Sequence, residues 1–225
     1  MGIYDRDYYR RETSGSLWLT GQTPVTIGLV IANIVVYMAD SLGFPGLEGG
    51  LLRWLLLMPS QVFQDFQFWR LLTATFCHAG LGHLFFNMLF LWWFGRELEK
   101  LYGSREFLIF YLVAAAFSSF LWALTTWQFG ERQAAMVGAS GAVTAVAVLY
   151  TLYNPRQVLL IYGIFPIEMR WMVLIYLGMD AMSLMGSGHS AIAHMAHLGG
   201  AAYAVIFKYA DLRVSRLSAP LRVRP

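Results

Sequence analysis

Charged side chains are scarce in this sequence. Its 225 residues include 16 Lys and Arg and 13 Asp and Glu, so that 13% carry a formal charge, about half the roughly 25% expected of a soluble globular domain. A water-soluble single domain is therefore not expected. Cysteine is scarcer still: Cys77 stands alone, which excludes an internal disulfide and any multi-cysteine zinc or iron–sulfur site and leaves the redox compartment undetermined. The basic residues do not cluster with aromatic ones as a nucleic-acid surface requires, so no nucleic-acid partner is expected. Internal repeats, low-complexity tracts and a second domain are also missing. The first 24 residues hold no signal-peptide apolar region and no clear cleavage site, so the first helix is expected to be an uncleaved signal anchor.

What the chain does hold is apolar surface. Hydrophobic residues make up 58% and aromatic ones 16%, the opposite of the composition that keeps a chain disordered. Stretches free of Asp, Glu, Lys and Arg run over 13–39, 71–95, 107–130, 133–155 and 181–207, each at least 23 residues long. A helix needs about 20 apolar residues to cross a bilayer core, so these are five candidate spans. A sixth, 171 to about 186, is apolar apart from Asp180. The interval 156–170, with Pro155 before it and Pro166, Glu168 and Arg170 within it, reads as a loop. The segment 43–70 mixes Leu52, Trp54, Phe63, Phe66 and Trp69 with Arg53, Pro59 and Asp65, a composition suited to the membrane interface.

Orientation follows from the placement of the basic residues. With six spans and a cytoplasmic N-terminus, Arg6, Arg10, Arg11, Arg96, Lys100, Arg105, Arg156, Arg170, Lys208, Arg213, Arg216, Arg222 and Arg224 fall on the cytoplasmic side. Only Arg53, Arg70 and Arg132 fall outside, a split of 13 to 3 among the 16 Lys and Arg. Removing the sixth candidate would put the basic tail outside.

Polar groups inside spans are costly and are candidates for function. The second helix holds His78, His83 and Asn87, and His83 and Asn87, four residues apart, share one face of it; the plainer reading is interhelical hydrogen bonding. Gly138 and Gly141 flank Ser140 in a GASG run, which makes a poor helix interior and a good helix start. A helix from Ser140 to Pro155 would rise only about 21 Å against a core of roughly 30 Å, so Ser140 would begin below the outer surface. The extended residues before it, 131–139, must then line a cavity. The N–H groups at such a helix start suit a developing oxyanion, although a small-residue packing face would read the same way. His197 precedes Gly199 and Gly200, which allow close approach to a neighbouring helix. A serine with a histidine base is a minimal acyl-transfer pair. Asp180 is the one carboxylate expected inside a span, and it is assigned a structural role in preference to third member of the pair.

Three stretches, FWRLLTATFCHAGLGHLFFNMLFLWWFGRELEKLYGS, GASG at 138–141 and AHLGG at 196–200, together resemble the rhomboid family of intramembrane serine proteases over residues 25–210. The resemblance implies an all-α polytopic membrane protein, a six-transmembrane-helix bundle with a membrane-embedded first loop. It divides the chain into an N-terminal cytoplasmic segment at 1–24, the transmembrane domain at 25–210 and a basic cytoplasmic tail at 211–225. It also implies Ser140 as nucleophile and His197 as general base, with His83 and Asn87 as oxyanion-hole donors assisted by the Ser140 N–H. Trp69 and Arg70 match the family's first-loop pair, and Glu99 with Gly103 matches the structural end of helix two. Thr144 departs from the pattern, because several members carry there an aromatic ring that stacks on the histidine; another contact must orient the imidazole here.

His194, three residues before His197, invites a metal reading, but no third ligand and no HExxH motif is evident. No metal and no cofactor is expected; His194 and His78 are assigned structural or substrate-adjacent roles, and Cys77 a small buried apolar one. The expected substrates are single-span or other membrane proteins, and the expected location a bacterial plasma membrane with both termini cytoplasmic. An alternative is a weak or inactive rhomboid-like factor that binds membrane segments. An aspartyl intramembrane protease would need two intramembrane Asp residues, and a transporter would show more buried charge and paired repeats.

Overall fold

The computed structural model describes residues 23–43, 50–161, 163–183 and 189–214. The expected cytoplasmic segment with Arg6, Arg10 and Arg11, and the tail with Arg216, Arg222 and Arg224, lie outside the described residues.

Helix α1 (Pro24–Leu42) starts with proline in its first turn, where the missing N–H costs nothing. It ends on Gly43 at φ +60°, the left-handed stop that glycine makes cheap. Short helices α2 (Leu52–Leu55), α3 (Pro59–Phe63) and α4 (Arg70–Thr73) follow, the last running into a 3-10 turn over Ala74–Phe76. Then come α5 (Leu81–Phe90), a π-helical turn over Leu91–Gly95, and α6 (Arg96–Tyr102), one rod of mixed helical geometry. Helix α7 (Ser104–Gln128) is the longest, with 25 residues, and α8 (Ser140–Tyr153) the most enclosed. A two-stranded hairpin, β1 (Val158–Ile161) and β2 (Phe165–Glu168), leads to α9 (Met169–Ser183) and α10 (His189–Tyr209).

Three expectations need correction or narrowing. The window 71–95 is not one helix: Cys77 and Gly80 are extended, and the Arg70–Phe76 piece meets Leu81–Tyr102 at 99°. His78 therefore sits in the break and not on the second helix. A window free of charge cannot reveal a break made of neutral residues, and the glycines at 80 and 82 were its only local sign. The rod runs on to Tyr102, in line with the match of Glu99 and Gly103 to the end of helix two, and Glu97 and Lys100 pair at 2.8 Å in its last turns. Second, 156–170 is more than a loop: Val158 pairs with Glu168 and Ile161 with Phe165 in antiparallel register. Third, among the described residues two helices, α1 and α7, are long and apolar enough to cross a membrane, or three if the bent pair counts as one span. Helix α8 has only 14 residues.

Two polar anchors organise the molecule. Glu99 is buried and accepts hydrogen bonds from the Val25 N–H (3.0 Å), the Thr26 N–H (2.7 Å), the Thr26 hydroxyl (2.7 Å) and the Ser104 hydroxyl (2.6 Å). It thus caps the N-terminus of α1 from another helix, satisfying donors that otherwise have no partner inside the helix. Gly103, at φ +83° and ψ 156°, makes the corner between α6 and α7 in a region that side chains avoid. Arg70, also buried, donates through Nη1 to the carbonyls of Arg53 (3.1 Å) and Leu56 (2.6 Å) and through Nε to Gln67 (2.6 Å). It pins the first loop to the start of the bent pair. Trp69 beside it is half exposed. The loop also pairs with the segment before α8, since Leu57 and Met136 exchange both backbone hydrogen bonds at 3.0 and 2.9 Å. Within the stretch 131–139, Met136 pairs with Leu57 and the Gly138 N–H donates to the Ala74 carbonyl at 2.9 Å, so part of its backbone bonding goes to other segments of the protein.

Candidate active site

Helix α8 begins at Ser140 because the two residues before it turn the chain sharply. Gly138 has φ +126°, and a Cβ there would lie 2.6 Å from Cε1 of His83 and 2.9 Å from Nε2, so both backbone and neighbour demand glycine. His83 on α5 is in this way brought against the loop that presents Ser140. Its other side meets His78, with ring centroids 5.1 Å apart. Asn87 lies one turn further along α5 and donates through Nδ2 to the His83 carbonyl at 2.8 Å. An amide nitrogen carries a second proton, so one donor is still available.

From the other side comes α10. A Cβ on Gly200 would overlap the carbonyl of Gly141, and one on Gly199 would press on Leu121 at 3.1 Å and the Ser118 backbone at 3.3 Å. A Cβ on Gly141 would collide with the Ser118 hydroxyl. The backbones of α7, α8 and α10 therefore meet through glycines, the small-residue packing that lets helices approach closely without a hydrophobic driving force. Contact at this seam is what lets His197 reach Ser140: Nε2 lies 2.9 Å from Oγ, across 57 residues of sequence. Gly200→Ala is expected to force α8 and α10 apart. Stability should fall by about 1–3 kcal/mol, the usual cost of overpacking, and activity per folded molecule should fall with it because the 2.9 Å contact is lost. Melting curves and turnover measured on the same preparation check this.

The far side of the imidazole carries contacts that the sequence reading missed. His197 Nδ1 lies 2.8 Å from the Tyr176 hydroxyl and 3.0 Å from Asp180 Oδ2. The remaining oxygen of that carboxylate, Oδ1, is engaged by His194 Nδ1. The Tyr176 ring is tilted by 36° to His197, with centroids 5.5 Å apart, and Tyr176 and Thr144 line the same cavity. The place left by Thr144 is thus filled from α9, by a tyrosine that supplies both a ring and a hydroxyl. Asp180 was assigned a structural role; it is buried and touches the candidate base directly. The signal for both was present in the sequence: Tyr176 and Asp180 are four residues apart and share a helix face, as do His194 and His197.

The same cluster corrects the statement that no third metal ligand exists, for Asp180, His194 and His197 offer donor atoms within 4.8 Å of one another. Each carboxylate oxygen, however, already faces a different imidazole at hydrogen-bonding distance, so the atoms that would hold a cation are engaged with each other.

His83, Asn87, Ser140, Thr144, Tyr176 and His197 line one cavity of about 420 Å³. Its remaining walls are apolar and come from α5, α8 and α9. A largely apolar wall with a few convergent polar groups is the usual make-up of a binding or active site. Of the other residues singled out from sequence, Trp69, Arg70, Glu99 and Gly103 do not line it; Arg70 holds the loop, Glu99 and Gly103 the helix corner, and Trp69 is exposed beside Arg70. Cys77 is buried.

Residues 65–214 match the Rhomboid domain family. Among similar proteins, the Rhomboid protease GlpG of Serratia proteamaculans (strain 568) is 30% identical over 195 residues, covering 84% of this chain and 63% of the relative. RHOMBOID-like protein 12, mitochondrial, of Arabidopsis thaliana is 29% identical over 214 residues, with 88% and 62% covered. Rhomboid-like protein 11, chloroplastic, from the same plant is 32% identical over 187 residues, with 79% and 62% covered. The chain spans a little over three fifths of the length of these relatives.

Proposed function

The chain belongs to the rhomboid family, and from that premise we propose that this membrane protein is an intramembrane serine endopeptidase that cuts transmembrane or juxtamembrane segments of other membrane proteins. The observation that carries the reading is the 2.9 Å contact of Ser140 Oγ with His197 Nε2 at the wall of an apolar cavity. Ser140 attacks the scissile carbonyl as its proton passes to His197 Nε2. The tetrahedral oxyanion is held by His83, Asn87 and the Ser140 N–H, and the proton then goes to the leaving amine nitrogen. Water entering from the outer face hydrolyses the acyl-enzyme by the reverse sequence of proton transfers. A substrate helix must unwind locally to expose its carbonyl, so Gly, Ala and Ser near the cut are favoured. No cofactor takes part in these steps.

The domain at 25–210 is proposed to cross the bilayer six times, with 1–24 and 211–225 in the cytoplasm of a bacterial cell. The shortness of α8 accords with this if Ser140 starts below the outer surface, and a helix enclosed by protein needs less apolarity than one facing lipid. A cysteine at Gln133 should react with a membrane-impermeant thiol reagent from outside, and one at Ser104 should not, in a Cys77→Ala background. The reverse pattern would overturn the orientation.

The catalytic reading is tested by incubating detergent-purified protein with a panel of tagged single-span substrates. Cleavage products are expected. Retention of substrate without cleavage would favour instead a rhomboid-like factor that binds membrane segments.

A further inference from the structure

The seating of the candidate base departs from a simple two-residue pair. We propose that Asp180, clamped by His194, is a positioning residue that fixes His197 with its proton on Nδ1, so that Ser140, His197 and Asp180 work as a triad. This rests on the reading of Ser140 as nucleophile and His197 as base.

The chemistry follows from which atoms can donate. An ionised carboxylate only accepts hydrogen bonds. With Asp180 Oδ2 at 3.0 Å from His197 Nδ1, the shared proton must belong to the imidazole. A neutral imidazole with its proton on Nδ1 has its lone pair on Nε2, and Nε2 is the atom 2.9 Å from Ser140 Oγ. The opposite tautomer would turn Nε2 into a donor toward the serine and disable it as a base. When the serine proton moves to Nε2, the imidazolium formed lies beside a buried carboxylate, whose charge stabilises it. The proton on Nδ1 stays in place throughout.

His194 gives the carboxylate its second fixed contact. It lies three residues before His197 on the same face of α10 and engages Oδ1, so Asp180 cannot rotate about its terminal bond without losing a partner. Tyr176, one turn before Asp180 on α9, puts its hydroxyl 2.8 Å from the same Nδ1. A hydroxyl can donate or accept and so does not choose a tautomer; the carboxylate does. Asn in place of Asp180 would offer an N–H toward Nδ1, as the tyrosine also could, and would admit the wrong tautomer.

The test compares wild type with Asp180→Asn and His194→Gln, all in detergent, by kcat and KM for a cleaved substrate, by the rate at which a fluorophosphonate labels Ser140, and by melting temperature. For Asp180→Asn, kcat and the labelling rate should fall together by about 100- to 10,000-fold, with KM nearly unchanged and the protein still folded. His194→Gln, which leaves Asp180 in place, should lower the same two rates by a smaller factor. It serves as the measure if Asp180→Asn does not fold. Undiminished kcat and labelling in the folded variants, or losses that only follow the loss of folded protein, would overturn the triad while leaving the Ser–His pair standing. A wild type that neither labels nor cleaves would overturn the protease reading and the triad with it.

Discussion

Ser140→Ala is expected to reduce cleavage by on the order of 10⁶-fold, the loss found when a serine nucleophile is removed from a site whose oxyanion donors and binding contacts remain. The effect is large because, in the proposed mechanism, the attacking oxygen itself is gone; Ser140 Oγ is the atom 2.9 Å from His197 Nε2, whereas Thr144 lines the same cavity one turn along α8. His197→Ala should cost a similar factor. The double variant should be no worse than either single one, since residues that act as one unit fail together. Stability should barely change, because Ser140 Oγ makes one hydrogen bond across the helix seam, and a typical hydrogen bond contributes about 1 kcal/mol. Turnover and melting temperature on the same preparations check both halves of the expectation. Substantial cleavage by folded Ser140→Ala protein would remove Ser140 from the mechanism.

The next largest effect is expected at the proposed oxyanion donors. His83→Ala and Asn87→Ala should each lower kcat by roughly 10- to 1,000-fold, near the range for loss of one such donor, with KM little changed. The geometry favours a role in the transition state. Asn87 gives one amide proton to the His83 carbonyl at 2.8 Å, which holds its side chain along the α5 face, and keeps the second for the cavity that it shares with Ser140. The His83 ring is confined between His78 and Gly138. If Asn87 were only a packing residue, its loss would resemble that of an interhelical hydrogen bond, about 0.6 kcal/mol, and activity would decline only with the folded fraction. An unchanged kcat per folded molecule in both variants would leave the packing reading as the correct one. His83→Ala also opens space beside Gly138, so its melting temperature must be measured together with its rate.

The glycines show how far the sequence could be read. Gly138, Gly141, Gly199 and Gly200 were marked as a motif, and their spacing indicated a tight helix start and a close seam. That the Gly200 position abuts the Gly141 carbonyl, and that Gly138 makes room for His83, depends on where α5 and α10 meet α8. Glu99 and Arg70 were likewise marked as structural, but their partners, the first turn of α1 and the carbonyls of Arg53 and Leu56, could not be deduced from spacing. The break at Cys77–Gly80 escaped notice because neutral residues leave no mark on a count of charges, and the hairpin at 158–168 because Pro166, Glu168 and Arg170 are loop signals as well.

What the sequence determined by itself was the membrane character of the chain and the residue types able to carry acyl transfer. Both are local properties: long charge-free windows decide partition into lipid, and a polar side chain within such a window is conspicuous wherever the helix finally packs. Which of those polar groups meet is settled by how the helices pack. Ser140 touches His197 because glycines let α8 and α10 come into backbone contact, and Asp180 with Tyr176 reaches the back of the same imidazole because α9 packs beside α10. Helical periodicity assigns each side chain to a face of its own helix, but which faces oppose one another is set by packing between helices distant in sequence, and that distance is why Asp180 was read as a bystander until the fold brought it to the base.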